Sequence, residues 1–345
     1  MRSRPFTFFA KIPVWYYNVL NCLTGGVDIK HLIVVNPKAF IKKSEMLEVI
    51  DEIRVYFERG QKAEFMVHVS RYPRDAVNVI RKLITNTKDT VRVYSVGGDG
   101  ILFDCLNGVA RLPNAELAVM PYGTSNDFVR SFGENNQALF RDISKQATAG
   151  VIPTDVIHCG NRFALNFCTV GIESGAILKY YDIRKKYEWM GKRFGGLVYL
   201  LGGILAAMDK KLVNQEYELV IDGETYNGRY ATICIANNCC YGGNKYAAPD
   251  ADPTDGLLDV MLVKSANLLS LMLMIQRYTK GKYYKYPDSI KHLRAKEITV
   301  RSPNPLYLDL DGEAYYDTQI NASVIASAIN IVAVDGLEYQ RRSVK

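Results

Sequence analysis

The sequence has no apolar run as long as the roughly 20 residues that a membrane-spanning helix needs. Its longest apolar stretches, Gly195–Met208 and Leu268–Ile275, are shorter than that. Arg2, Arg4 and Lys11 stand among aromatic residues at the N-terminus, and no small-residue cleavage site follows them, so we expect no signal peptide. These absences favour a cytoplasmic protein that is either free in solution or peripheral on the inner surface of a membrane.

Cysteine offers little for metal binding or cross-linking. Seven cysteines occur without a CxxC pair, and the adjacent Cys239 and Cys240 suit neither a zinc site nor a disulfide framework. We expect reduced and mostly buried thiols. Internal repeats and low-complexity linkers are also absent. Hydrophobic residues make up 48% of the 345 residues and charged residues 23%, which is enough to fold two domains of moderate size.

The composition does contain a modest basic excess. Lysine and arginine number 43 against 36 aspartates and glutamates, which gives a formal net charge of +7. Such a charge favours anionic partners: phosphorylated ligands, nucleic acid or an acidic membrane surface. It does not choose among the three.

Strand-like runs and helical patterns alternate in the first half of the chain. The predicted strands are His31–Asn36, Glu64–Val69, Val91–Val96 and Leu117–Met120, and the predicted helices are Ser44–Gly60, Asp75–Ile84 and Ile101–Ala110. This alternation is typical of an α/β domain with a parallel sheet, which we assign to residues 31–150. Residues 1–30 are taken as an N-terminal extension without a predicted role.

From about Thr154 strand-like runs dominate. They are Phe163–Val170, Tyr217–Ile221, Tyr230–Ala236, Leu258–Val263, Glu297–Arg301, Pro305–Leu310 and Ser323–Val334. Two helical segments, Ile183–Met208 and Leu268–Lys280, interrupt them. The pattern predicts a β-rich, sandwich-like domain over residues 151–345. Its last strand could return to either domain.

Two glycine-containing loops follow consecutive predicted strands. The first is Gly97–Gly100 and the second is Pro121–Phe128. Glycine lets a backbone approach a phosphate closely, and a helix N-terminus offers free N–H groups, so each loop suits a nucleotide. Neither loop is a Walker A or a GxGxxG motif. The alternative is a tight turn or a capped helix start, with Ser125 or Asn126 as the N-cap. The carboxyl ends of neighbouring parallel strands meet at one sheet edge, so we expect the loops side by side.

The combination GGDGILFD at Gly97–Asp104 and PYGTSNDF at Pro121–Phe128 resembles the paired signature of the diacylglycerol kinase catalytic family. The segments Asn237–Pro249, Ala251–Val260 and Asp311–Glu313 resemble three further elements of that family, in the same order along the chain. The family includes bacterial lipid kinases and, more distantly, sphingosine and ceramide kinases. The resemblance implies an α/β nucleotide domain, a β-rich domain and a cleft between them where ATP and a lipid hydroxyl meet.

The resemblance also implies site residues. Its nucleotide-binding positions fall on Asn36, Ser70, Gly97, Gly98, Asp99, Gly100, Gly123, Thr124 and Asn126. Its catalytic Mg²⁺ is organised by carboxylates that match Asp75, Asp104 and Asp127, partly through water, as magnesium prefers. A second metal position matches Asp252, Asp255 and the carbonyl of Leu257, for which a plain Asp-Pro-Thr-Asp-Gly turn is the alternative. The proton acceptor matches Glu313, with Asp311 beside it.

The sequence departs from the family pattern in two places. Ile101 stands where the family often has threonine, and the loop Asn36–Phe40 lacks a glycine that the family usually has there. Both departures bear on ATP use, Ile101 bears also on the choice of lipid, and the Asn36–Phe40 loop bears also on the choice of nucleotide. A second Asp-Gly-Glu triplet at Asp222–Glu224 lies between strand-like runs, and we predict a hairpin turn there without a catalytic role.

Basic residues cluster in two segments of the second half. They are Arg184, Lys185, Lys186, Lys192, Arg193, Lys210 and Lys211 in the first, and Lys280, Lys282 and Lys285 among tyrosines in the second. Such clusters suit anionic phospholipid headgroups, and the alternative is an ordinary solvated face. Interleaved basic and aromatic residues also occur in proteins that bind single strands. The kinase signature makes nucleic acid the weaker hypothesis, and exposed strand edges are compatible with a homodimer.

These observations predict an ATP-dependent lipid kinase that acts at a membrane surface. A kinase for a soluble substrate, such as NAD kinase, shares the GGDG loop and is the nearest alternative. A non-catalytic protein that binds lipid or nucleotide is the second. Diacylglycerol, monoacylglycerol, a sphingoid base, ceramide, phosphatidylglycerol and an undecaprenyl-type alcohol all present a hydroxyl beside apolar chains, so the acceptor stays open.

Overall fold

The computed structural model describes residues 15–17, 29–61, 63–133, 135–187, 195–213, 215–243 and 245–340. Contacts divide the chain into two compact units. The first unit takes its described residues from Met1–Val129, Glu134–Pro153 and Ile329–Glu338, and the second takes them from Arg130–Gly133, Thr154–Ala328 and Tyr339–Lys345.

The first unit combines a largely parallel sheet with helices. Its strands are β1 (Trp15–Tyr17), β2 (Ile29–Val35), β3 (Phe65–Val69), β4 (Thr90–Gly97) and β5 (Ala115–Pro121). Its helices are α1 (Lys43–Val55), α2 (Asp75–Thr85), α3 (Asp99–Val109), α4 (Asp127–Arg130), α5 (Gln137–Arg141) and α6 (Ile143–Thr148). Short 3-10 turns form at Pro37–Ala39 and Val334–Gly336, and a π-helical turn at Tyr56–Gln61 extends α1.

The strands of the first unit lie in the order β1-β3-β2-β4-β5. Strand β1 is antiparallel to β3, while the β2–β3, β2–β4 and β4–β5 pairs are parallel. Asn330–Ile331, near the end of the chain, pairs in parallel with β5. Val35 lies opposite both Val69 and Val96, so the carboxyl ends of neighbouring strands align at one edge. The predicted parallel sheet is confirmed, and apolar runs such as Leu32–Val35 are fully buried, as strands covered on both faces are.

A buried arginine holds the sheet to the segment that follows it. Arg92 of β4 donates from Nε to Glu116 of β5 over 2.6 Å. Its remaining guanidinium nitrogens donate to the carbonyl oxygens of Gln146, Ala147 and Ala149 over 2.7 to 3.0 Å. A buried charge is tolerated when it is paired and fully hydrogen-bonded, and this guanidinium meets both conditions.

His31 lies in the aromatic part of the same core. Its ring lies 4.3 Å from that of Phe57, and its Nδ1 shares a hydrogen bond of 2.8 Å with the hydroxyl of Tyr94. Burial, with a smaller contribution from the charge of Arg92, lowers the pKa of His31 to about 3. The unfolded chain therefore binds a proton at His31 at pH values where the folded chain does not.

We expect this histidine to make the fold acid-sensitive. The folded pKa lies below the unfolded one, so the stabilisation is present above pH 6.5 and is lost as the pH falls toward 3. Between pH 6.5 and pH 4.5 the free energy of unfolding should fall by about 2 kcal/mol from this residue alone. Urea unfolding of His31→Gln should show a flatter pH dependence than wild type. His158→Gln, at a half-buried histidine, is the control, and an unchanged slope in His31→Gln contradicts the account.

The second unit is rich in antiparallel strands. They are β6 (Val151–Cys159), β7 (Arg162–Ala164), β8 (Phe167–Gly171), β9 (Glu216–Ile221), β10 (Glu224–Thr225), β11 (Gly228–Ala236), β12 (Leu258–Lys264), β13 (Ile290–Ala295), β14 (Glu297–Leu310) and β15 (Glu313–Val332). Its helices are α7 (Ile172–Lys186), α8 (Gly195–Met208), α9 (Lys210–Val213) and α10 (Leu268–Tyr278), and Tyr283–Lys285 forms a 3-10 turn. The first residues of β6 and the last of β15 are counted with the first unit.

The main strand order of the second unit is β15-β14-β8-β11-β12-β13. Strand β9 pairs with β14 and β11, and β6 forms a hairpin with β7. All of these pairs with a described register are antiparallel, so the predicted β-rich class is confirmed. The two strands predicted at Glu297–Arg301 and Pro305–Leu310 are one strand. A bulge between Arg301 and Leu306 accommodates the prolines of that stretch.

Other sequence predictions were wrong at element boundaries. The helix predicted to begin at Ile183 begins at Ile172, directly after β8, and α8 is described from Gly195. Strands β6 and β13 were not predicted. Most of the N-terminal extension, Cys22, Lys192 and Arg193 lie outside the described residues. The other six cysteines are free and buried, as expected. Within the described residues, no helix is long and apolar enough to span a membrane.

Candidate functional site

The two glycine loops of the first unit touch each other at the carboxyl edge of the sheet. A methyl group at Gly123 would come within 2.3 Å of the Cα atom of Gly98, and one at Gly98 would come within 3.0 Å of the Cα atom of Gly123. The carbonyl oxygen of Gly97 accepts hydrogen bonds from the N–H groups of Tyr122 and Gly123, at 2.7 and 3.1 Å. The loops thus lie side by side, as expected, and the contact leaves no room for a side chain at either glycine.

Asp99 joins the first loop to the second. Its two carboxylate oxygens accept from the backbone N–H groups of Asn126 and Asp127, at 3.1 and 2.9 Å, and so cap the start of α4. Asn126 has a positive φ of 50°, and its side-chain amide both accepts from and donates to the backbone of Gly123. The side chains of Asp99 and Asn126, predicted to contact nucleotide, therefore shape the loops in this structure.

The loop after β2 is closed by its own backbone. Asn36 donates its N–H to the carbonyl of Val96 over 3.0 Å, and its side chain accepts from the N–H of Lys38. The ring of Phe40 lies 5.1 Å from that of Tyr122 in the second loop. The 3-10 turn and this ring contact occupy the place where the family pattern has a glycine.

Ile101 and Ser70 lie at the same edge. Ile101 is buried, and its Cγ2 atom lies 2.7 Å from the position that a Gly97 side chain would occupy. Its apolar side chain therefore packs against the first loop at Gly97. Ser70 directly follows β3, and its hydroxyl donates to the carbonyl of Tyr72 over 3.2 Å. Thr124 and Gly100 are exposed.

Two buried carboxylates lie close together on α2 and α3. One oxygen of Asp75 lies 3.1 Å from His68 Nε2 and accepts from the N–H of Arg71 over 3.0 Å. One oxygen of Asp104 accepts from the N–H of Arg74 over 2.8 Å. Burial raises the pKa of Asp104. The hydrogen bond from the N–H group of Arg74 and the positive charge of Arg74 oppose this rise in pKa, and the negative charge of Asp75 adds to it.

This pair fits a magnesium ion that is held mainly by water. Among the described residues, no three histidine, cysteine, aspartate or glutamate side chains form a cluster that could hold a metal. The role of Asp127 beside Asp75 and Asp104, partly through water, stays a prediction. Magnesium commonly takes one or two carboxylates and several waters, and a cation would also offset the repulsion between these two groups.

In the second unit, Asp311 is a structural acceptor. One of its oxygens accepts from the N–H of Leu165 over 2.6 Å, and the other accepts from Asn166 and Phe167 over 2.9 and 3.0 Å. The carboxylate thus fixes the link between β7 and β8 to the turn that follows β14. We interpret Asp311 as a residue that positions the turn. Glu313, at the start of β15, is partly buried.

Two acidic residues near this turn were missed by the sequence prediction. Asp309 is fully buried, and burial raises its pKa well above the usual range. The N–H group of Gly312 donates to Asp309 Oδ1 over 2.8 Å and opposes this rise in pKa, while the negative charges of nearby carboxylates add to it. Glu173 of α7 accepts from the hydroxyls of Tyr241 and Thr232, over 2.6 and 3.2 Å. The sequence signal was the recurrence of aspartate at Asp309 and Asp311, directly before Gly312 and Glu313.

The turn at the second predicted metal position is closed by its own polar groups. Asp252 accepts from the N–H and the hydroxyl of Thr254 over 3.0 and 2.6 Å. Asp255 accepts from the N–H of Leu257 over 3.0 Å and forms an ion pair with Arg294. Burial raises the pKa of Asp255 and the charge of Arg294 opposes the rise. These contacts favour the plain turn, although the metal position stays a prediction.

The second Asp-Gly-Glu triplet forms the predicted hairpin. Strands β9 and β10 pair antiparallel on either side of it, and Asp222 and Gly223 both have positive φ, as a tight turn requires. Asp222 accepts from the N–H groups of Lys296 and Glu297 at 2.9 Å. The carboxylate of Glu224 accepts from the hydroxyl of Tyr226 over 2.6 Å.

Known proteins share this architecture. Residues 30–159 match the family described as “Diacylglycerol kinase catalytic domain”, and residues 183–333 match the “YegS C-terminal NAD kinase beta sandwich-like domain”. Proteins of Staphylococcus aureus strains JH9 and Newman, each named “Putative lipid kinase”, are 27% identical over 278 residues, which cover 79% of this chain and 87% of theirs.

Solved structures agree on the fold. A “putative diacylglycerol kinase” and a further diacylglycerol kinase, both from Bacillus anthracis strain Sterne, superpose with TM-scores of 0.68 and 0.63. Their identities are 22% and 20%, and each match covers 90% of this chain and 98% of the other. At that identity the likeness shows the fold alone.

The contact between the loops predicts a large cost for a methyl group at Gly123. We expect Gly123→Ala to lower the free energy of unfolding by about 1–3 kcal/mol, because the added carbon must push the two backbones apart. Gly150→Ala is the matched control, since a methyl group there meets nothing within 4 Å. Urea unfolding of both variants checks this, and equal stability of the two would contradict the contact.

Asp311→Asn should destabilise the second unit more than Asp222→Asn does. Both carboxylates accept from several backbone N–H groups. Asp311 and the residues of its three N–H donors are buried, so these donors cannot bond to water instead. We expect a loss of about 2–3 kcal/mol at Asp311 and below about 1 kcal/mol at the more exposed Asp222. Thermal unfolding of both variants measures the difference, and the reverse order would refute the anchoring role.

Proposed function

Because the chain belongs to the diacylglycerol kinase catalytic family, we propose that it is a lipid kinase that transfers the γ-phosphoryl group of ATP to a lipid hydroxyl. Diacylglycerol or a related lipid is the proposed acceptor. The observation that carries the proposal is the locked pair of glycine loops at the carboxyl edge of the parallel sheet. In open α/β sheets this edge is where ligands bind.

The two loops are suited to the phosphates of ATP. Gly98 and Gly100 carry no side chains at the start of α3, the carboxylate of Asp99 between them is bonded to the second loop, and helix N-termini attract anions. The exposed hydroxyl of Thr124 is available from the second loop. Asp99 holds the second loop against the first, so the two can act on one ligand together.

Magnesium, when bound, neutralises charge on the phosphoryl oxygens. Asp75 and Asp104 would hold it, through water where they do not reach it directly. The N–H groups of Arg71 and Arg74 fix the orientation of these two carboxylates. The protein thereby supplies position and charge, which phosphoryl transfer needs more than covalent help.

Glu313 is the proposed proton acceptor. As the lipid oxygen forms its bond to the γ-phosphorus and the bond to the ADP oxygen breaks, the hydroxyl proton moves to the Glu313 carboxylate. Asp311 holds the turn that precedes Glu313, and Gly312 is fixed by Asp309. Burial raises the pKa of Asp309 well above its usual range, because the charged form of a buried carboxyl is disfavoured.

A kinase for a soluble hydroxyl substrate is the second candidate. The match of residues 183–333 to an NAD kinase-like β-sandwich domain favours it, because that fold also serves soluble acceptors. Both candidates use the same ATP and the same general base. They differ in the acceptor, so a substrate panel separates them. The lipid candidate also entails work at the cytoplasmic surface of a membrane.

The test is Mg²⁺-dependent transfer of labelled phosphate from ATP to a panel of lipids in mixed micelles and, separately, to NAD. Glu313→Gln should lower turnover on the accepted substrate by about 10²–10⁴-fold, since it removes the base but keeps the shape. Glu224→Gln, in the hairpin copy of the triplet, is the control and should keep wild-type turnover.

Labelling of one lipid, lost in Glu313→Gln alone, supports the proposal and identifies the acceptor. Labelling of NAD without any lipid replaces it by the second candidate. Absence of transfer to every acceptor, with ATP still bound, leaves a nucleotide-binding protein and overturns catalysis altogether.

A further inference from the structure

Helix α8 is held against α7 by one face only. A side chain at Gly202 would come within 2.7 Å of the carbonyl oxygen of Ala176 and 3.2 Å of the backbone nitrogen of Tyr180, so the two helix backbones are in close contact there. Val198 and Ala206, four residues to either side of Gly202, are fully buried. This spacing fixes which side of α8 faces inward.

The opposite face of α8 is exposed and apolar. The exposed fractions of its side chains are 52% for Leu197, 37% for Leu201, 46% for Leu205 and 61% for Met208. These residues recur at intervals of three or four and form one stripe along the helix. Soluble proteins leave single apolar side chains exposed, but a continuous stripe usually marks a binding surface.

Helix α10 presents a second face of the same kind. Leu271, Met274 and Tyr278 are buried in the core of the second unit. The exposed side chains are Leu268, Leu269, Met272 and Leu273, with Leu269 at 71%. Met208 and Leu268 line a shared groove of about 600 Å³, so the end of the α8 stripe adjoins the start of the α10 face. We call the two together the leucine surface.

Basic groups border this surface. Lys210 and Arg229 line the same groove, and they also line a neighbouring groove of about 360 Å³ together with Lys211. The one carboxylate of that second groove, Glu216, is paired with Arg229 over 2.6 Å. Along the chain, residues 264–287 contain five lysines and arginines and no acidic residue. Lys210 and Lys211 therefore place positive charge beside the leucine surface, and Asp209, between Met208 and Lys210, is paired with Lys179 over 3.7 Å.

We propose that the leucine surface of α8 and α10 docks on an anionic lipid bilayer. Apolar side chains beside cations match the acyl boundary and the charged headgroups of such a membrane. A second copy of the chain is the less suitable occupant, because a symmetric contact would bring like-charged rims together. Docking requires no phosphoryl transfer, so the inference stands apart from the proposed reaction.

The test is flotation of the full chain, without ATP, on vesicles of phosphatidylcholine with or without phosphatidylglycerol. Wild type should float only with the anionic vesicles and should be released by salt. The double variant Leu205→Asp, Leu269→Asp should lower the partition coefficient at least about tenfold, because it places two charges in the apolar contact. Replacing Lys210 and Lys211 by Gln should lower it by about fivefold for each lysine.

Matched controls lie in the first unit. Leu47→Asp changes a leucine of α1 with 48% exposure, and Lys82→Gln with Lys88→Gln removes two exposed lysines; both should float as wild type does. Circular dichroism confirms that each variant is folded. Turnover on a short-chain lipid dispersed in detergent should not change in the double variant, so a failure of docking and a failure of the kinase proposal are seen separately.

Three results would overturn the inference. If the wild-type protein does not bind anionic vesicles, the proposed partner is wrong. The proposed surface is wrong if the leucine-surface variants float as well as wild type and the Leu47→Asp control do. Sedimentation that shows a dimer of wild type, dissolved by the leucine substitutions without any vesicle binding, assigns the surface to a second copy.

Discussion

The contact between Gly98 and Gly123 is the constraint on which the first unit depends. Two loops from neighbouring strands approach so closely that neither tolerates a side chain, and the carbonyl of Gly97 takes hydrogen bonds from the second loop. Parallel pairing of β4 with β5 brings the loops to one edge, and Asp99 then caps α4 across the gap. Glycine at both positions keeps side chains out of this contact.

In the second unit, several acidic groups lie near one turn. Asp311 accepts hydrogen bonds from three backbone N–H groups, whereas burial raises the pKa of Asp309 well above its usual range. Glu173 is held by two hydroxyls. Each of these three acids thus has its own hydrogen-bond partners near the turn that precedes β15.

Much of this arrangement could be predicted from the sequence because it rests on local patterns. Apolar β-branched runs indicated β2 to β5, and glycines after two of them indicated the loops. Contacts between distant residues could not be predicted in this way. The cap from Asp99 spans 27 residues and the bond between Asp104 and Arg74 spans 30, so no short motif encodes either. The early start of α7 was missed because its first turn, after Gly171, contains Ser174 and Gly175, which are weak helix formers.

The central claim is that the two glycine loops form one binding site for the phosphates of ATP. Hydrogen exchange of the intact chain, with and without ATP and Mg²⁺, tests it most directly. We expect the amides of residues 97–104 and 121–128 to slow together, at the same ATP concentration, while those of α1 do not change. Protection of only one loop, or of neither while ATP is bound, would contradict the claim.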